Sequence, residues 1–149
     1  MGIVRSAPFF LLALLVPVLP VTAAAQAPRC TIAYVVGGDE VNCRGGVQVR
    51  LVLIDAPEQG PFGALARNAL TALLPIGSSF RMELDERSRD DQGRVLAYLF
   101  LEDGRMVNEM MIRQGYAFFK PSKVNQRYAE SLRQAESVAR EKRLGVWAE

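Results

Sequence analysis

The sequence predicts an α+β protein built on a five-stranded OB-fold β-barrel with three α-helices. Five short segments show the alternation or the β-branched composition of strands, and three others space their apolar residues as helices do. The first helix also falls after the third strand. Strands and helices in this order are typical of a Greek-key barrel with helices packed at its end.

Residues 1–27 show the three zones of a secretory signal peptide. Arg5 precedes an apolar run over residues 9–21, and small residues follow it up to Ala27. Two prolines interrupt the run, which is also shorter than the roughly 20 apolar residues that span a bilayer. We therefore expect cleavage after Ala27 and a secreted or periplasmic mature chain of residues 28–149 that has no membrane contact.

The mature chain is long enough for one domain with its own core and too short for two ordinary ones. Once the basic residue of the leader is removed, 17 Lys and Arg face 16 Asp and Glu, which gives a net charge of +1. This balance alone does not indicate a nucleic-acid binder. Residues 113–143 are locally basic, and either a binding face or an ordinary solvated helix surface explains them.

The chain has no histidine and two cysteines, Cys30 and Cys43. Serine–histidine and cysteine–histidine catalysis are therefore excluded, and the usual tetrahedral zinc site cannot be completed. General acid–base chemistry falls to carboxylates, lysine, tyrosine or bound water. Export would place the cysteines in an oxidising compartment, so we expect a disulfide between them that flanks the first hairpin.

The first three predicted strands lie in the N-terminal half. Residues 30–36 are β-branched and aromatic, a Gly-Gly-Asp turn follows, and residues 40–43 complete a hairpin. Residues 47–54 predict a third strand, largely buried on both faces. It stops before Pro57, because proline cannot continue a central ladder and keeps the preceding residue extended.

The remaining elements alternate between helix and strand. Apolar spacing predicts helices over residues 64–74, 107–114 and 126–143, with glycine or proline near the end of each. Alternation predicts strands over residues 80–85 and 94–101, joined by an Asp- and Gly-containing turn.

Charged residues gather where the third strand ends. Arg50 interrupts an apolar strand and needs a nearby anion, while Asp55 and Glu58 lie on either side of a rigid proline. Asp39 stands at a glycine-rich hairpin tip, and Arg94 follows a second turn. Each residue taken singly has an ordinary explanation as a turn residue or an ion-pair partner.

Together these motifs resemble the staphylococcal nuclease-like (thermonuclease) family over residues 31–149. The matching motifs are Gly38-Asp39, Arg50-Leu-Val-Leu-Ile-Asp55-Ala-Pro-Glu58, Phe62-Gly63, Asp90-x-x-Gly-Arg94, Leu96-Ala-Tyr98, Val107-Asn-Glu109, Arg113-Gln-Gly115 and Gly145-Val-Trp147. The resemblance implies an exported, calcium-dependent endonuclease that cleaves DNA and RNA, single-stranded or locally melted, and leaves 3′-phosphate ends. A monomer is the state that the family implies.

The resemblance also assigns residues to the metal. It implies that the carboxylates of Asp39 and Asp55, with the main-chain carbonyl of Ala56, bind one Ca²⁺. Calcium takes carboxylate and carbonyl oxygens and needs neither histidine nor cysteine, so its chemistry agrees.

The catalytic residues follow from the same resemblance. Glu58 resembles the general base of the family, or the residue that orients the attacking water, and Arg50 and Arg94 resemble the pair that holds the scissile phosphate. Two guanidinium groups and a divalent ion suit the negative charge of a phosphoryl transition state.

Four features depart from the family pattern. Glu40 replaces a commoner hydroxyl residue beside the metal turn, and Asp91 and Gln92 stand where the prototype has lysine and tyrosine. The aromatic segment before Lys120 and the loop after Glu58 are shorter. Two other classes of function therefore stay open, a non-catalytic strand-binding module and an exported structural or adhesion domain.

Overall fold

A computed structural model describes residues 1–3 and 26–148. The predicted leader falls mainly on residues outside these ranges. Within the described ranges, no helix is long and apolar enough to cross a membrane.

Among residues 1–3 and 26–148, seven strands form the sheets. In chain order they are β1 Arg29–Val35, β2 Glu40–Cys43, β3 Val47–Leu51, β4 Ile54–Asp55, β5 Ser79–Arg89, β6 Val95–Phe100 and β7 Phe118–Phe119. Five of them form a closed barrel in the order β1-β2-β3-β6-β5, and β5 pairs with β1 to close it. Strands β3 and β6 pair in parallel, and all other neighbouring strands of the barrel pair antiparallel. The predicted five-stranded barrel is confirmed.

In the part of the chain that the structure describes, three α-helices and one 3₁₀ turn accompany the barrel: α1 Gly60–Leu73, α2 Val107–Arg113, α3 Ala129–Glu141 and a 3₁₀ turn at Gly145–Trp147. All three predicted helices are present. Helix α1 begins four residues earlier than predicted, because Pro61 in its first turn has a backbone angle that suits a helix start. Helix α3 begins three residues later than predicted and ends two residues earlier.

The predicted third strand is interrupted. Residues 47–54 do not form one strand, since β3 ends at Leu51 and the chain turns through Leu53, which has a φ of 63°. This left-handed conformation is uncommon for a leucine, so the sequence carries no signal for it. Beyond the turn, β4 leaves the barrel and pairs with β7, a strand that the sequence analysis missed.

A disulfide joins the first two strands. Cys30 and Cys43 are bonded, with their Cα atoms 5.3 Å apart, and both side chains are buried in the core. The predicted bridge beside the first hairpin is therefore confirmed by the geometry.

Asn108 attaches α2 to the barrel. Its side-chain amide is fully buried, donates to the carbonyls of Val52 and Ala97, and accepts from the N–H of Leu99. These bonds satisfy backbone groups where β3 ends beside β6. They hold α2 against the end of β3, and the segment that carries Asp55 and Glu58 follows that end.

Candidate functional site

Strand register brings three charged residues to one face of the barrel. Glu40 pairs with Arg50 across β2 and β3, and Arg50 pairs with Leu96 across β3 and β6. Side chains of paired residues lie on the same face of a sheet, and alternation places Arg94 on the face of Leu96. The intervening residues of β3 point into the barrel, so Glu40, Arg50 and Arg94 share its outer face.

Arg50 joins the two carboxylates that were predicted to bind metal. Its Nη2 lies 2.9 Å from Oδ2 of Asp39 and donates to Oδ1 of Asp55 at 2.8 Å. The two aspartates are 16 residues apart in sequence, one in the hairpin turn and the other in β4, so this arginine connects the hairpin tip to the end of β4. Arg50 was expected to need a nearby anion, and it has two, the carboxylates of Asp39 and Asp55.

Asp39 is the most buried of these carboxylates. Its Oδ2 accepts a hydrogen bond from the N–H of Ala56 at 2.7 Å. Burial raises the pKa of Asp39, an effect that the Ala56 bond and the Arg50 charge oppose and that the negative charge of Asp55 reinforces. A cation placed beside the two aspartates would therefore stabilise their ionised forms.

The donor atoms available here fit calcium. Each aspartate directs one oxygen at Arg50, while Oδ1 of Asp39 and Oδ2 of Asp55 accept no hydrogen bond from the described residues. The part of the chain that the structure describes contains no cluster of three or more His, Cys, Asp or Glu side chains that could hold a metal. Two carboxylates, the carbonyl of Ala56 and water are a set of hard oxygen ligands of the kind that calcium accepts.

Two glycines let α1 approach the site closely. A Cβ on Gly38 would lie 2.5 Å from Cβ of Ala66 and 2.6 Å from Cβ of Ala56. A Cβ on Gly63 would lie 2.7 Å from the carbonyl carbon of Glu58. The helix therefore packs directly on the hairpin tip and on the turn that carries Glu58, and it fixes both relative to each other.

Glu58 lines a cavity of about 210 Å³ together with Asp39, Ala56 and Arg67. Its side chain is exposed, and within residues 1–3 and 26–148 its carboxylate has neither a hydrogen-bond partner nor an ion pair. A carboxylate with free oxygens beside the two aspartates can accept a proton from water.

Arg50 and Arg94 line a second cavity, of about 230 Å³, together with Asp90 and Lys120. Lys120 Nζ lies 3.2 Å from Oδ1 of Asp55, so this cavity adjoins the aspartates. In the described part of the molecule, the buried Nε of Arg50 has no hydrogen-bond partner. An anion in this cavity would meet three cationic groups and can supply the missing acceptor.

Comparison with known proteins decides the family. A model of the family described as staphylococcal nuclease homologue matches residues 48–149. The chain belongs to this family. It is 33% identical to a thermonuclease of Staphylococcus intermedius, over 67% of this chain and 62% of that protein. It is 31% identical to the SPbeta prophage-derived endonuclease YokF of Bacillus subtilis (strain 168), over 79% of this chain and 43% of that protein.

A further relative is a thermonuclease of Staphylococcus hyicus, 29% identical over 78% of this chain and 74% of that protein. The chain thus spans less than two thirds of the length of the first two relatives. Membership of the staphylococcal nuclease family, which the motifs predicted, is confirmed.

The structure also brings to the site residues whose position the sequence did not predict. Arg94 Nη1 donates to Oε2 of Glu40 at 2.6 Å, and its Nε donates to Oδ2 of Asp90 at 2.7 Å. Burial lowers the pKa of Arg94, but the bonds to Asp90 and Glu40 outweigh it and raise that pKa. Arg67, which lines the cavity beside Glu58, was also not predicted. Its position next to buried Ala66 on α1 was the only feature of the sequence that could have indicated it.

Lys120 is the residue of the basic segment 113–143 that lines the second cavity, whereas the arginines of the segment do not line either cavity. Four of its arginines pair with acids instead: Arg113 with Glu109, Arg127 with Glu83, Arg133 with Glu130, and Arg140 with Glu136. Most of these side chains are about half exposed. Of the two interpretations left open by the sequence, the solvated helix surface is favoured.

Proposed function

We propose that this chain is an exported, calcium-dependent endonuclease that hydrolyses phosphodiester bonds of DNA and RNA and leaves 3′-phosphate ends. The observation that carries the proposal is that Arg50 and Arg94 line one cavity and that Arg50 contacts both Asp39 and Asp55. Asp39 also lines the cavity that contains Glu58. Membership of the staphylococcal nuclease family and the relatives named thermonuclease support the reaction class.

Arg50 and Arg94 bind the scissile phosphate in this proposal. Guanidinium groups present paired N–H donors that match two phosphate oxygens, and they stay protonated at any physiological pH. Attack on phosphorus adds negative charge to its oxygens, so donors already in place stabilise the transition state more than the ground state. Partial burial of both arginines strengthens these interactions because water screens them less.

Glu58 acts as the general base, or orients the water that attacks. Its carboxylate takes a proton from water as the water oxygen forms a bond to phosphorus. The bond from phosphorus to the 5′ oxygen breaks, that oxygen takes up a proton from solvent water, and the phosphate remains on the 3′ side. The exposed position of Glu58 beside a cavity supports access of water to this carboxylate.

Asp39, Asp55 and the carbonyl of Ala56 would hold the calcium ion. When bound, the ion supplies Lewis-acid stabilisation of charge on the phosphate oxygens. The contribution of the chain is to hold the two carboxylates together, which Arg50 does by contacting both, and to fix the hairpin tip, which the Asp39 bond to Ala56 does.

The substrate is a single strand or a locally melted duplex in this account. Asp91 and Gln92 stand where the family prototype has a lysine and a tyrosine, and the aromatic segment before Lys120 is short. Fewer aromatic side chains are therefore available to stack on bases, and we expect contacts of phosphates with Arg50, Arg94 and Lys120 to dominate binding. Such binding is tolerant of sequence and of sugar type, and it weakens steeply as salt is raised.

Cleavage by the exported protein tests this function. The full chain is expressed with its leader, and the mature protein, expected to begin at Pro28, is isolated from outside the cytoplasm. A labelled single-stranded oligonucleotide is incubated under single-turnover conditions across a calcium titration and in chelator, and product ends are identified by mass spectrometry.

We expect cleavage only with calcium and 3′-phosphate products from both DNA and RNA. Full activity in chelator would contradict the proposed role of the metal. Binding of the strand without cleavage at any calcium concentration would favour a binding module instead, and neither binding nor cleavage would favour a structural domain.

A further inference from the structure

Arg94, one of the two arginines proposed to bind the substrate phosphate, already donates hydrogen bonds to the carboxylates of Glu40 and Asp90. We propose that Glu40 competes with the substrate phosphate for Arg94 and thereby sets the affinity of the phosphate site. This inference rests on the proposed function, and it names a residue that determines how strongly that site binds its substrate.

The contacts of Arg94 involve both of the two-donor edges that a phosphate can use. Glu40 takes a hydrogen bond from Nη1, and Asp90 takes one from Nε. A phosphate binds a guanidinium through a pair of adjacent N–H groups, and each such pair includes Nη1 or Nε. Glu40 takes one of the two N–H groups of Nη1, so a phosphate on the Nη1–Nη2 edge would share Nη1 with this carboxylate and lie next to its negative charge. Displacement of a carboxylate therefore strengthens the binding of a phosphate to Arg94 through two bonds.

Asp90 is held in place and cannot leave easily. Its Oδ1 accepts from the backbone N–H groups of Gln92 and Arg94, both at 3.0 Å, while its Oδ2 binds the Arg94 side chain. These bonds close the turn before β6, so loss of Asp90 from the cluster would open that turn.

Glu40 has no comparable attachment. In the described structure the bond to Arg94 is the only hydrogen bond of its carboxylate, and it reaches across from a separate strand 54 residues away in sequence. Its side chain can rotate away while β2 stays in place. Glu40 is therefore the ligand that a phosphate would replace, because a carboxylate and a phosphate offer the guanidinium the same kind of oxygen pair.

Strand binding in chelator measures this competition without any cleavage. A labelled single-stranded decanucleotide is titrated with the full-length mature protein and followed by fluorescence anisotropy. Glu40→Gln removes the charge and keeps the shape of the side chain. The control is Glu86→Gln, which removes the same charge from an exposed side chain on β5 that does not contact Arg94.

We expect Glu40→Gln to bind the strand roughly tenfold more tightly than the wild type, the worth of one charge-assisted hydrogen bond. Glu86→Gln should change the dissociation constant by less than about twofold, since a distant exposed charge is screened. Glu40→Thr, a second variant without the carboxylate, should repeat the gain. Equal binding by the wild type and both Glu40 variants, or no measurable binding by any of them, would overturn the proposal.

A double-variant comparison shows whether the gain passes through Arg94. In an Arg94→Gln background, Glu40→Gln should improve binding by less than about twofold, because the competed group is gone. A tenfold gain that persists in this background would show that Glu40 acts by general repulsion and would overturn the inference.

The two proposals fail in different measurements. If the nuclease proposal is wrong and this one is right, the wild type does not cleave but Glu40→Gln still binds more tightly. If the nuclease proposal is right and this one is wrong, the wild type cleaves and the Glu40 variants bind as it does.

Discussion

Arg50 Nη2 lies 2.9 Å from Oδ2 of Asp39, and the two side chains are only 16% and 12% exposed. Such a pair is buried on the outer face of the barrel at the point where β2, β3 and β4 meet. Removal of one member leaves the other as an uncompensated buried charge, which costs more than the pair itself contributes.

Replacement of the arginine should therefore destabilise the fold. We expect Arg50→Met to lower the free energy of unfolding by about 3 kcal/mol, measured by urea denaturation at neutral pH. Arg105→Met removes an arginine whose pair with Asp103 is exposed and should change it by less than about 0.5 kcal/mol. Asp39→Asn added to Arg50→Met should recover part of the loss, and equal effects of the two single arginine variants would contradict a buried pair.

Gly38 and its neighbour Gly37 offer a matched test of how α1 is placed. A Cβ on Gly38 would lie 2.5 Å from Cβ of Ala66, whereas a Cβ on Gly37 would meet nothing within 4 Å. We expect Gly38→Ala to cost about 1–3 kcal/mol, because the helix must move off the hairpin tip. Gly37→Ala should stay within about 0.5 kcal/mol of the wild type.

Thermal unfolding measures both glycine variants. If the proposed calcium site is correct, calcium should raise the melting temperature of the wild type, and the displaced helix in Gly38→Ala should weaken this stabilisation, since Ala56 lies against the same glycine. A Gly38→Ala variant as stable as Gly37→Ala would show that the close approach is not needed.

Much of the fold could be predicted from local signals. Strand β2 occupies the predicted residues because glycine turns bound it on both sides, and α2 starts where its apolar spacing starts. The break at Leu53 could not be predicted, because a leucine at positive φ is held there by the pairing of β4 with a distant β7.

In the site too, residues within one sequence motif could be predicted, whereas contacts between distant segments could not. The motifs around Arg50 and Asp55 identified residues that the fold does bring together. Arg94 immediately precedes β6 and Glu40 lies in β2, and these two strands are not adjacent in the chain or in the barrel order, so the contact depends on strand register across β3. A turn motif read along the sequence does not contain that information.

Asp85 should contribute to stability in a way that depends on pH. Burial opposes its ionisation, but hydrogen bonds from the Tyr98 hydroxyl and from the backbone N–H groups of Arg127 and Glu86 outweigh burial and lower its pKa. A carboxyl whose folded pKa lies below the unfolded value of about 3.9 stabilises the fold above that value. This contribution is lost as the pH falls through the folded pKa.

We therefore expect Asp85→Asn to be less stable than the wild type at neutral pH and to lose less stability on acidification below about pH 4. Urea denaturation across an acid pH series measures both effects. Asp91→Asn, whose side chain is 96% exposed, is the control and should follow the wild-type curve. An Asp85→Asn curve parallel to that of the wild type would contradict the assignment.

Glu58 gives the most direct test of the central claim, that this fold carries a nuclease site. Its carboxylate is exposed and unpaired in the described structure, so Glu58→Gln should keep the wild-type free energy of unfolding. The decisive measurement is the single-turnover rate of cleavage of a short labelled single strand in saturating calcium, with Glu86→Gln as the control. We predict a rate about 10² to 10⁴ times slower for Glu58→Gln, with nearly unchanged strand affinity, and a wild-type rate for Glu86→Gln. Cleavage by folded Glu58→Gln at the wild-type rate would contradict the account.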